Sequence, residues 1–444
     1  MLKFQRPLVT CDDNDTDIVD DTMRIIYSFH PDDPSGDNNL LWHGATRRGA
    51  KSMMLLSTSE QYRLPDDAKT IDLGHKDFHI PTKQTTYHCR TFSLANITTK
   101  QHIIQFEPMI QKGHEPFVHH MNIYKCPLSS RNIGKNYTCY TVTHGEFELL
   151  PCDNVLVSWA VGGGPFYFPQ NAGLPIGEND TNLGYILEVH YNNPGGVTGL
   201  VDNSGIRITY TSQLRQHDAA VLAVGIISTK SVIIPPHYTD FKIRTEISKE
   251  CLNEGLKSAP GEEVKMFALW HHAHLLGKAM RTGQIRGGIE LKPIADDRYY
   301  DFDYQEIRLL REEVSLRKDD IITVECTYDS SLRRNVTFGG FATSDEMCFS
   351  FIYYYPRIPV FMSLSTPMYN AVGSYRGLAQ LIKIVQGSDW TNSTLRGQFQ
   401  LETLNSSINE QCMMSRPPTS VMRNVTIENA RVPYRQPTSS CLND

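Results

Sequence analysis

Three histidines lie within four positions of an apolar stretch, LWHHAHLLG (269–277). If this stretch is a strand, Trp270, His272 and His274 project from one face and His271 points away. Two imidazoles side by side on one strand can chelate a metal, or can form a hydrogen-bonded pair at a sheet edge. This stretch alone leaves both interpretations open.

Other positions add metal-binding side chains. His119 and His120 are adjacent in FVHHMNIYKC, and both can bind one metal only if the strand bulges or ends there. His190 lies in LEVHYNNP, where a lone strand histidine is usually structural. Met347 lies in SDEMCFSF; a methionine there is normally core, but a thioether is also a ligand for Cu(I). The histidines leave zinc and copper open, and a methionine ligand would select copper.

The elements that must position these residues are short apolar runs rich in Val, Ile, Tyr and Phe, separated by Gly, Pro and Asn turns. Such runs are typical of β-sandwiches. They are HIIQFEP (102–108), NVLVSWAV (154–161), YILEVHY (185–191), GIRITYT (205–211), AVLAVGII (220–227), VKMFALWHHAHL (264–275), IITVECTY (321–328) and FSFIYYYP (349–356). Polar, turn-rich stretches predict boundaries near 60–76 and 211–219, and the chain is polar and less regular after about residue 380.

Bulk composition excludes several classes of protein. The 444 residues predict two or three domains. A net charge of −6 with no basic stripe gives no sign of nucleic-acid binding. No window approaches the roughly 18–20 apolar residues that a membrane span needs.

The cysteines and glycosylation sequons favour an oxidising, secretory setting over a cytosolic protein with free thiols. Ten cysteines occur without a CxxC pair. The sequons are at Asn14, Asn96, Asn136, Asn179, Asn335, Asn392, Asn405 and Asn424. The first residues, MLKFQRPLVT, lack the apolar region of a signal peptide, so we expect the front of a secretory protein to be missing.

Four motifs, HHMNIYKC, LEVHYNNP, HAHLLG and DEMCFSF, occur in the order found in the copper type II, ascorbate-dependent monooxygenases. The chain resembles that family along residues 1–444, most closely its dopamine-beta-hydroxylase-like branch. KGHEPFVHHM, LVDNSGIRITYT, YDFDYQEIRLL and FIYYYPR add to the likeness.

The resemblance implies two copper sites per chain, with ascorbate as reductant, O2 as co-substrate and a small-molecule substrate. The site that stores and delivers an electron would comprise His119, His120 and His190. The site that binds O2 and hydroxylates substrate would comprise His272, His274 and Met347. His271 is not a ligand in this pattern.

The fold that the resemblance implies is all-β, with two tandem jelly-roll-like β-sandwich domains that each carry one copper and face a solvent-filled cleft. A partial DOMON β-sandwich would precede them. We therefore predict a DOMON remnant at 1–60, a linker at 61–76, an electron-transfer domain at 77–213, an oxygen-binding domain at 214–380 and an irregular glycosylated tail at 381–444.

The family disulfides are implied as Cys89–Cys139, Cys126–Cys152, Cys326–Cys348, Cys251–Cys412 and Cys11–Cys441. Cys348 follows Met347, so its bridge would help to position the thioether. The Cys-x-Cys that links chains in some family members has no counterpart, so we expect no disulfide-linked dimer.

Substrate class is indicated by departures from the peptide-hydroxylating branch. That branch uses an Arg, an Asn and a Tyr around the peptide carboxylate, where this chain has Trp270, Phe349 and Phe351. A buried carboxylate without such partners is costly, so we predict that glycine-extended peptides are not substrates. The three aromatic residues could form a wall for an aromatic or hydrophobic substrate, or could simply be core.

We predict a copper- and ascorbate-dependent monooxygenase of the secretory pathway, in the endoplasmic reticulum lumen or outside the cell. The alternative is a secreted copper-binding or interaction protein of the same fold without turnover. A zinc hydrolase is a third possibility, against which stand Met347 and the lack of an HExxH segment.

Overall fold

The computed structural model describes residues 5–12, 14–36, 39–56, 63–127, 133–140, 142–143, 146–147, 152, 154–178, 183–226, 230–369, 378–415 and 418–436. Strands dominate these residues, and each of the eight apolar runs forms a strand. The strands are β1 (Met23–Ser28), β2 (Arg48–Met53), β3 (Lys69–Gly74), β4 (Phe78–His79), β5 (Thr85–Phe92), β6 (Gln101–Met109), β7 (Val118–Pro127), β8 (Asn136–Thr138), β9 (Val142–Thr143), β10 (Glu146–Phe147), β11 (Asn154–Ala160), β12 (Phe166–Tyr167), β13 (Ala172–Ile176), β14 (Leu183–Asn192), β15 (Val201–Asp202), β16 (Gly205–Thr211), β17 (His217–Asp218), β18 (Ala220–Ile226), β19 (Ile233–Ile234), β20 (Phe241–Ile247), β21 (Glu263–His272), β22 (Gly277–Arg286), β23 (Ile289–Glu290), β24 (Ala295–Asp297), β25 (Arg308–Arg317), β26 (Ile321–Tyr328), β27 (Thr337–Phe338), β28 (Phe349–Tyr355), β29 (Val360–Met368), β30 (Ser407–Ser415) and β31 (Pro418–Thr426). The helices are α1 (Lys249–Leu256), α2 (Leu378–Gly387) and α3 (Ser393–Asn405), with a 3-10 turn at Pro260–Glu262.

Two sheets form the N-terminal half of the molecule. A five-stranded sheet has the order β11-β7-β14-β5-β8, and a six-stranded sheet has the order β17-β13-β6-β16-β3 with β12 beside β6. Leu187 and Val189 of β14 and Ile206 of β16 belong to one buried apolar cluster between these sheets. Because side chains alternate along a strand, Glu188 and His190 of β14 lie on the opposite, outer face.

Two further sheets form the C-terminal half, with the orders β25-β21-β28-β18-β29-β30-β31 and β20-β26-β22-β23. Leu269 and Ile352 belong to the apolar cluster of this half. Phe267 and Tyr353 instead belong to the cluster of the N-terminal half, and Phe166 lies 5.2 Å from Tyr353 between ring centroids. The outer face of the seven-stranded sheet therefore packs against the N-terminal sandwich, as an apolar interface. The all-β prediction is confirmed.

Two of the predicted segment descriptions are wrong. The predicted linker at 61–76 contains β3, which pairs with β16 in the N-terminal sandwich. The predicted irregular tail at 381–444 contains α3, and also β30 and β31, which extend the seven-stranded sheet beyond β29. The polar outer faces of these elements hid them in the sequence, because only one face of each is buried.

The predicted DOMON remnant contains one described two-stranded sheet, β1 with β2. Its adjoining residues dock on the C-terminal half: Thr22 donates to Asp297 (3.1 Å) and Ser52 donates to Asp301 (2.6 Å). Thr22 and Ser52 are buried. These hydrogen bonds hold the segment on the core, and its DOMON origin stays a prediction.

Four of the five predicted disulfides lie wholly within the described residues, and the structure contains all four. They are Cys89–Cys139, Cys126–Cys152, Cys251–Cys412 and Cys326–Cys348. The fifth pair includes Cys441, which lies outside the described residues, as does the sequon at Asn179. The other seven sequon asparagines are exposed. Within the described residues, no helix has the length and hydropathy of a membrane span.

Candidate metal centre

The first histidine cluster depends on an irregularity in β7. His120 is the register partner of His190 in β14, but the pairing shifts there, so that Tyr191 faces Val118 and His119 is the extra residue. Such a bulge re-aims one side chain. It brings His119 to the same face as His120, which meets the condition for both to bind one metal.

The three imidazoles of this cluster converge on one point. The Nδ1 atom of His120 lies 3.2 Å from Nδ1 of His119 and 3.3 Å from Nδ1 of His190. A tetrahedral ion with metal–nitrogen bonds of about 2.0 Å separates its ligand nitrogens by about 3.3 Å. The three residues form a buried group able to hold a metal ion.

The outer nitrogens of two of these histidines are hydrogen-bonded to the C-terminal half. Nε2 of His119 donates to the carbonyl of Phe302 (3.0 Å), and Nε2 of His190 lies 3.4 Å from Oγ1 of Thr343. A neutral imidazole with its proton on Nε2 carries its lone pair on Nδ1. Because a carbonyl oxygen can only accept, the contact of His119 turns its lone pair toward the centre of the cluster, whereas the hydroxyl of Thr343 can donate or accept.

Glu188 lies behind His120, on the same outer face of β14. Its Oε1 atom is 3.9 Å from Nε2 of His120, and it accepts from Asn122 (3.0 Å) and from the hydroxyl of Tyr140. Burial raises the pKa of Glu188 to about 7, although these hydrogen bonds act in the opposite direction. Glu188 thus lies at ion-pair distance, and not at hydrogen-bonding distance, from the outer nitrogen of the third imidazole.

The second cluster begins at the end of β21. Nδ1 of His272 donates to Oε1 of Gln305 (2.8 Å), and Nδ1 of His274 lies 3.1 Å from the carbonyl oxygen of Asp345. Both contacts leave Nε2 as the lone-pair nitrogen. Nε2 of His274 is buried and has no hydrogen-bond partner among the described residues, as expected of an atom that binds a metal.

Glu346 joins the backbone of Met347 to the backbone of the second cluster. The carboxylate of Glu346 accepts from the backbone N–H of His274 (2.9 Å), Leu276 (2.6 Å) and Met347 (3.3 Å). Met347 is buried, and the next residue, Cys348, is disulfide-bonded to Cys326. Burial raises the pKa of Glu346 to about 8. One carboxylate thus joins the two chain segments that carry the predicted ligands of this site.

His271 is turned away from the cluster, as its strand position predicts. Its Nε2 atom lies 2.8 Å from Oγ1 of Thr282 in the facing sheet. Trp270 is on the same face as His272, at 5.3 Å between ring centroids, and stacks on Phe351 at 4.8 Å. Phe349 continues the row at 5.7 Å from Phe351. The three aromatic residues form a continuous wall beside the second cluster.

The solvent-filled cleft expected between the two sites is not what the structure shows. The ring centroids of His120 and His272 are 5.1 Å apart, and both side chains are buried. Burial holds the pKa of His119 at about 3 and that of His272 at about 4, so both imidazoles are neutral at physiological pH. The reason for the difference is the apolar contact between the sandwiches, which brings the outer faces of both together.

The donor set suits copper. Imidazole supports copper and zinc alike, but a thioether favours the soft Cu(I) ion. Neutral, buried imidazoles with oriented lone pairs need no proton release before they bind a metal.

Sequence comparisons agree with this class of site. The family model of the copper type II ascorbate-dependent monooxygenase N-terminal domain matches residues 71–198, and that of the C-terminal domain matches residues 217–375. The chain belongs to the copper type II ascorbate-dependent monooxygenase family.

Relatives within the family include DBH-like monooxygenase protein 1 of Homo sapiens, which is 37% identical over 83% of this chain and 60% of its own length. Dopamine beta-hydroxylase of Bos taurus is 35% identical over 80% of this chain and 58% of its own length. The chain thus spans about 60% of the length of the relatives it matches. A solved structure of infectious bursal disease virus (Gx strain) is 10% identical over 67% of this chain and 76% of its own length. Its TM-score of 0.16 is too low to support any structural comparison.

Sequence reasoning missed the residues that contact the outer nitrogens of the predicted ligands. Glu188 could have been found, because it lies two positions before His190 and so shares its face. Gln305 and the carbonyl of Phe302 gave no such signal, because they are distant in sequence from the histidines and contact them only in the folded structure.

Proposed function

We propose that the chain is a monooxygenase that hydroxylates a C–H bond of a small aromatic or hydrophobic substrate with O2, using ascorbate and two mononuclear copper sites. The observation that carries this proposal is the buried convergence of His119, His120 and His190, next to a second buried pair, His272 and His274, whose Nε2 atoms carry the lone pairs. His119, His120 and His190 would hold the electron-transfer copper. His272, His274 and Met347 would hold the copper at which O2 reacts.

Bound copper would supply one-electron redox chemistry between Cu(I) and Cu(II) at each site. The residues of this chain fix the ligand geometry. Outer hydrogen bonds to the oxygens of Phe302, Gln305 and Asp345 set the tautomers of His119, His272 and His274. Burial of the imidazoles excludes water, which protects a reactive centre from side reactions.

The aromatic wall supports the proposed substrate class. Trp270, Phe349 and Phe351 present ring faces and no charge beside the second cluster. A hydrophobic or aromatic substrate gains by stacking there, whereas a peptide carboxylate finds no cation among these three residues. The four disulfides are consistent with the secretory pathway. Within it, we propose the endoplasmic reticulum lumen or the extracellular space.

Ascorbate-dependent O2 uptake by the copper-loaded protein tests the proposal. We expect uptake and a hydroxylated product with members of an aromatic amine and alkylbenzene panel, and neither with a glycine-extended peptide. The His274→Ala variant should lose both, while His271→Ala should keep them. Copper binding without uptake on any substrate would favour the alternative, a copper-binding protein without turnover. Peptide amidation would contradict the proposed substrate class.

A further inference from the structure

One hydrogen-bonded chain runs between the two histidine clusters. Nε2 of His119 donates to the carbonyl of Phe302 (3.0 Å), and the same carbonyl accepts from Nε2 of Gln305 (2.9 Å). Oε1 of Gln305 then accepts from Nδ1 of His272 (2.8 Å). Every link is within hydrogen-bonding distance.

The orientation of this chain is fixed. The carbonyl of Phe302 can only accept, so the amide nitrogen of Gln305 must face it, and the amide oxygen must face His272. That oxygen in turn requires the proton of His272 to be on Nδ1. Phe302 and Gln305 are buried, so water does not compete for these groups.

The short segment that carries both groups is itself held in place. The backbone N–H of Gln305 donates to the carbonyl of Val161 in the N-terminal half (2.9 Å). The ring of Phe302 stacks on His119, with centroids 3.9 Å apart and planes at 19°. A shift of Gln305 would therefore move the carbonyl and the ring that orient His119.

We propose that Gln305 is a positioning residue that couples the two metal sites, setting His272 directly and His119 through the carbonyl of Phe302. This rests on the proposed function, which assigns a copper to each cluster. It goes beyond that function in one respect. Gln305 contacts His272, a predicted ligand of the second site, and is predicted to change metal affinity at the first site.

Anaerobic Cu(I) titration against a chromophoric chelator tests the coupling one site at a time. A His274→Ala background reports the first site, and a His190→Ala background reports the second. Gln305→Leu removes both hydrogen bonds. Gln305→Glu keeps an acceptor for His272 but offers no N–H to Phe302. Gln284→Leu is the matched control, because Gln284 is fully buried and hydrogen-bonds to Ser315 and Asp320.

We expect Gln305→Leu to weaken Cu(I) binding about 10-fold or more at the second site, the usual loss when an outer partner of a ligand is removed. At the first site we expect a smaller loss, about threefold or more, because the effect passes through one further hydrogen bond. Gln305→Glu should weaken Cu(I) binding at the first site by a similar factor and should leave Cu(I) binding at the second site unchanged. Gln284→Leu should change neither.

First-site affinity within about twofold of the parent in both Gln305 variants would overturn the coupling, even if the second site weakened. If Gln305→Leu does not fold, as judged by thermal unfolding, the Gln305→Glu variant decides alone. Failure of the proposed function has a different signature: the parent chain itself would bind fewer than two coppers.

Discussion

The predicted ligands are neutral imidazoles whose outer nitrogens have partners that leave the other nitrogen free. Burial lowers the pKa of His119 and His272, so binding a metal requires no deprotonation near pH 7. Nε2 of His274, which is buried and has no partner in the described part of the chain, would remain unpaired if no ion bound it. The orientation of each predicted ligand thus depends on its hydrogen-bond partner as well as on the histidine itself.

Glu346 provides a test at the residue scale. Above its pKa of about 8, Glu346 accepts from backbone N–H groups with both oxygens, so at pH 9 the NH2 group of Glu346→Gln would face a donor. We expect this variant to lose about 1–3 kcal/mol of unfolding free energy and to retain less copper at the second site. Chemical unfolding and elemental analysis measure the two effects. Glu312→Gln, at an exposed position, is the control, and equal behaviour of the two variants would contradict this role.

Side chains that share a strand were predictable, and contacts between distant segments were not. Alternation placed Trp270 with His272 and turned His271 away, as the structure has them. Gln305 is 33 positions from His272, and Phe302 is 183 positions from His119. Contacts of this kind follow from the packing of two domains, which local periodicity does not encode.

The segment from Asp297 to Gln305 lies between the N-terminal residues and the metal centre. Besides the bonds of Thr22 and Ser52, the hydroxyl of Tyr304 accepts from the backbone N–H of Met54 (3.0 Å). The N-terminal residues therefore support one side of segment 297–305, and the other side of this segment contacts the histidines.

This bracing predicts local protection from hydrogen exchange. A Thr22→Val, Ser52→Ala variant loses the bonds to Asp297 and Asp301, and peptides covering 297–305 should exchange faster. Mass spectrometry of the exchanged peptides measures the change. Thr391→Val, which removes an exposed hydroxyl–carboxylate bond elsewhere, should leave these peptides unaffected. Unchanged protection in the double variant would show that the segment is held by other contacts.

At the scale of the whole molecule, a charged network joins the two halves on another side of their interface. Asp218 accepts from Lys100 (2.7 Å), His102 (2.9 Å) and Arg357 (3.0 Å), and Arg357 also donates to Glu178 (2.8 Å). Burial alone would raise the pKa of Asp218, but these hydrogen bonds and the charge of Arg357 hold it below its usual value.

A carboxylate with a lowered pKa stabilises the folded state above its unfolded pKa, about 3.9, and loses that contribution as the pH falls through the folded value. We expect Asp218→Asn to lower the unfolding free energy at pH 7 by about 1–3 kcal/mol. Between about pH 4 and pH 2 the difference from the parent should shrink. Unfolding midpoints across that range measure it, with Asp66→Asn, at an exposed position, as control. A pH-independent difference would contradict the assigned charge.

Copper stoichiometry tests the central claim most directly. The parent chain, loaded with copper and dialysed, should retain about two coppers by elemental analysis, since each cluster supplies three ligands. His190→Ala and His272→Ala should each retain about one, because each loses one cluster, and His271→Ala should retain two. Zero copper in the parent, or one copper that neither substitution removes, would contradict the two-site account.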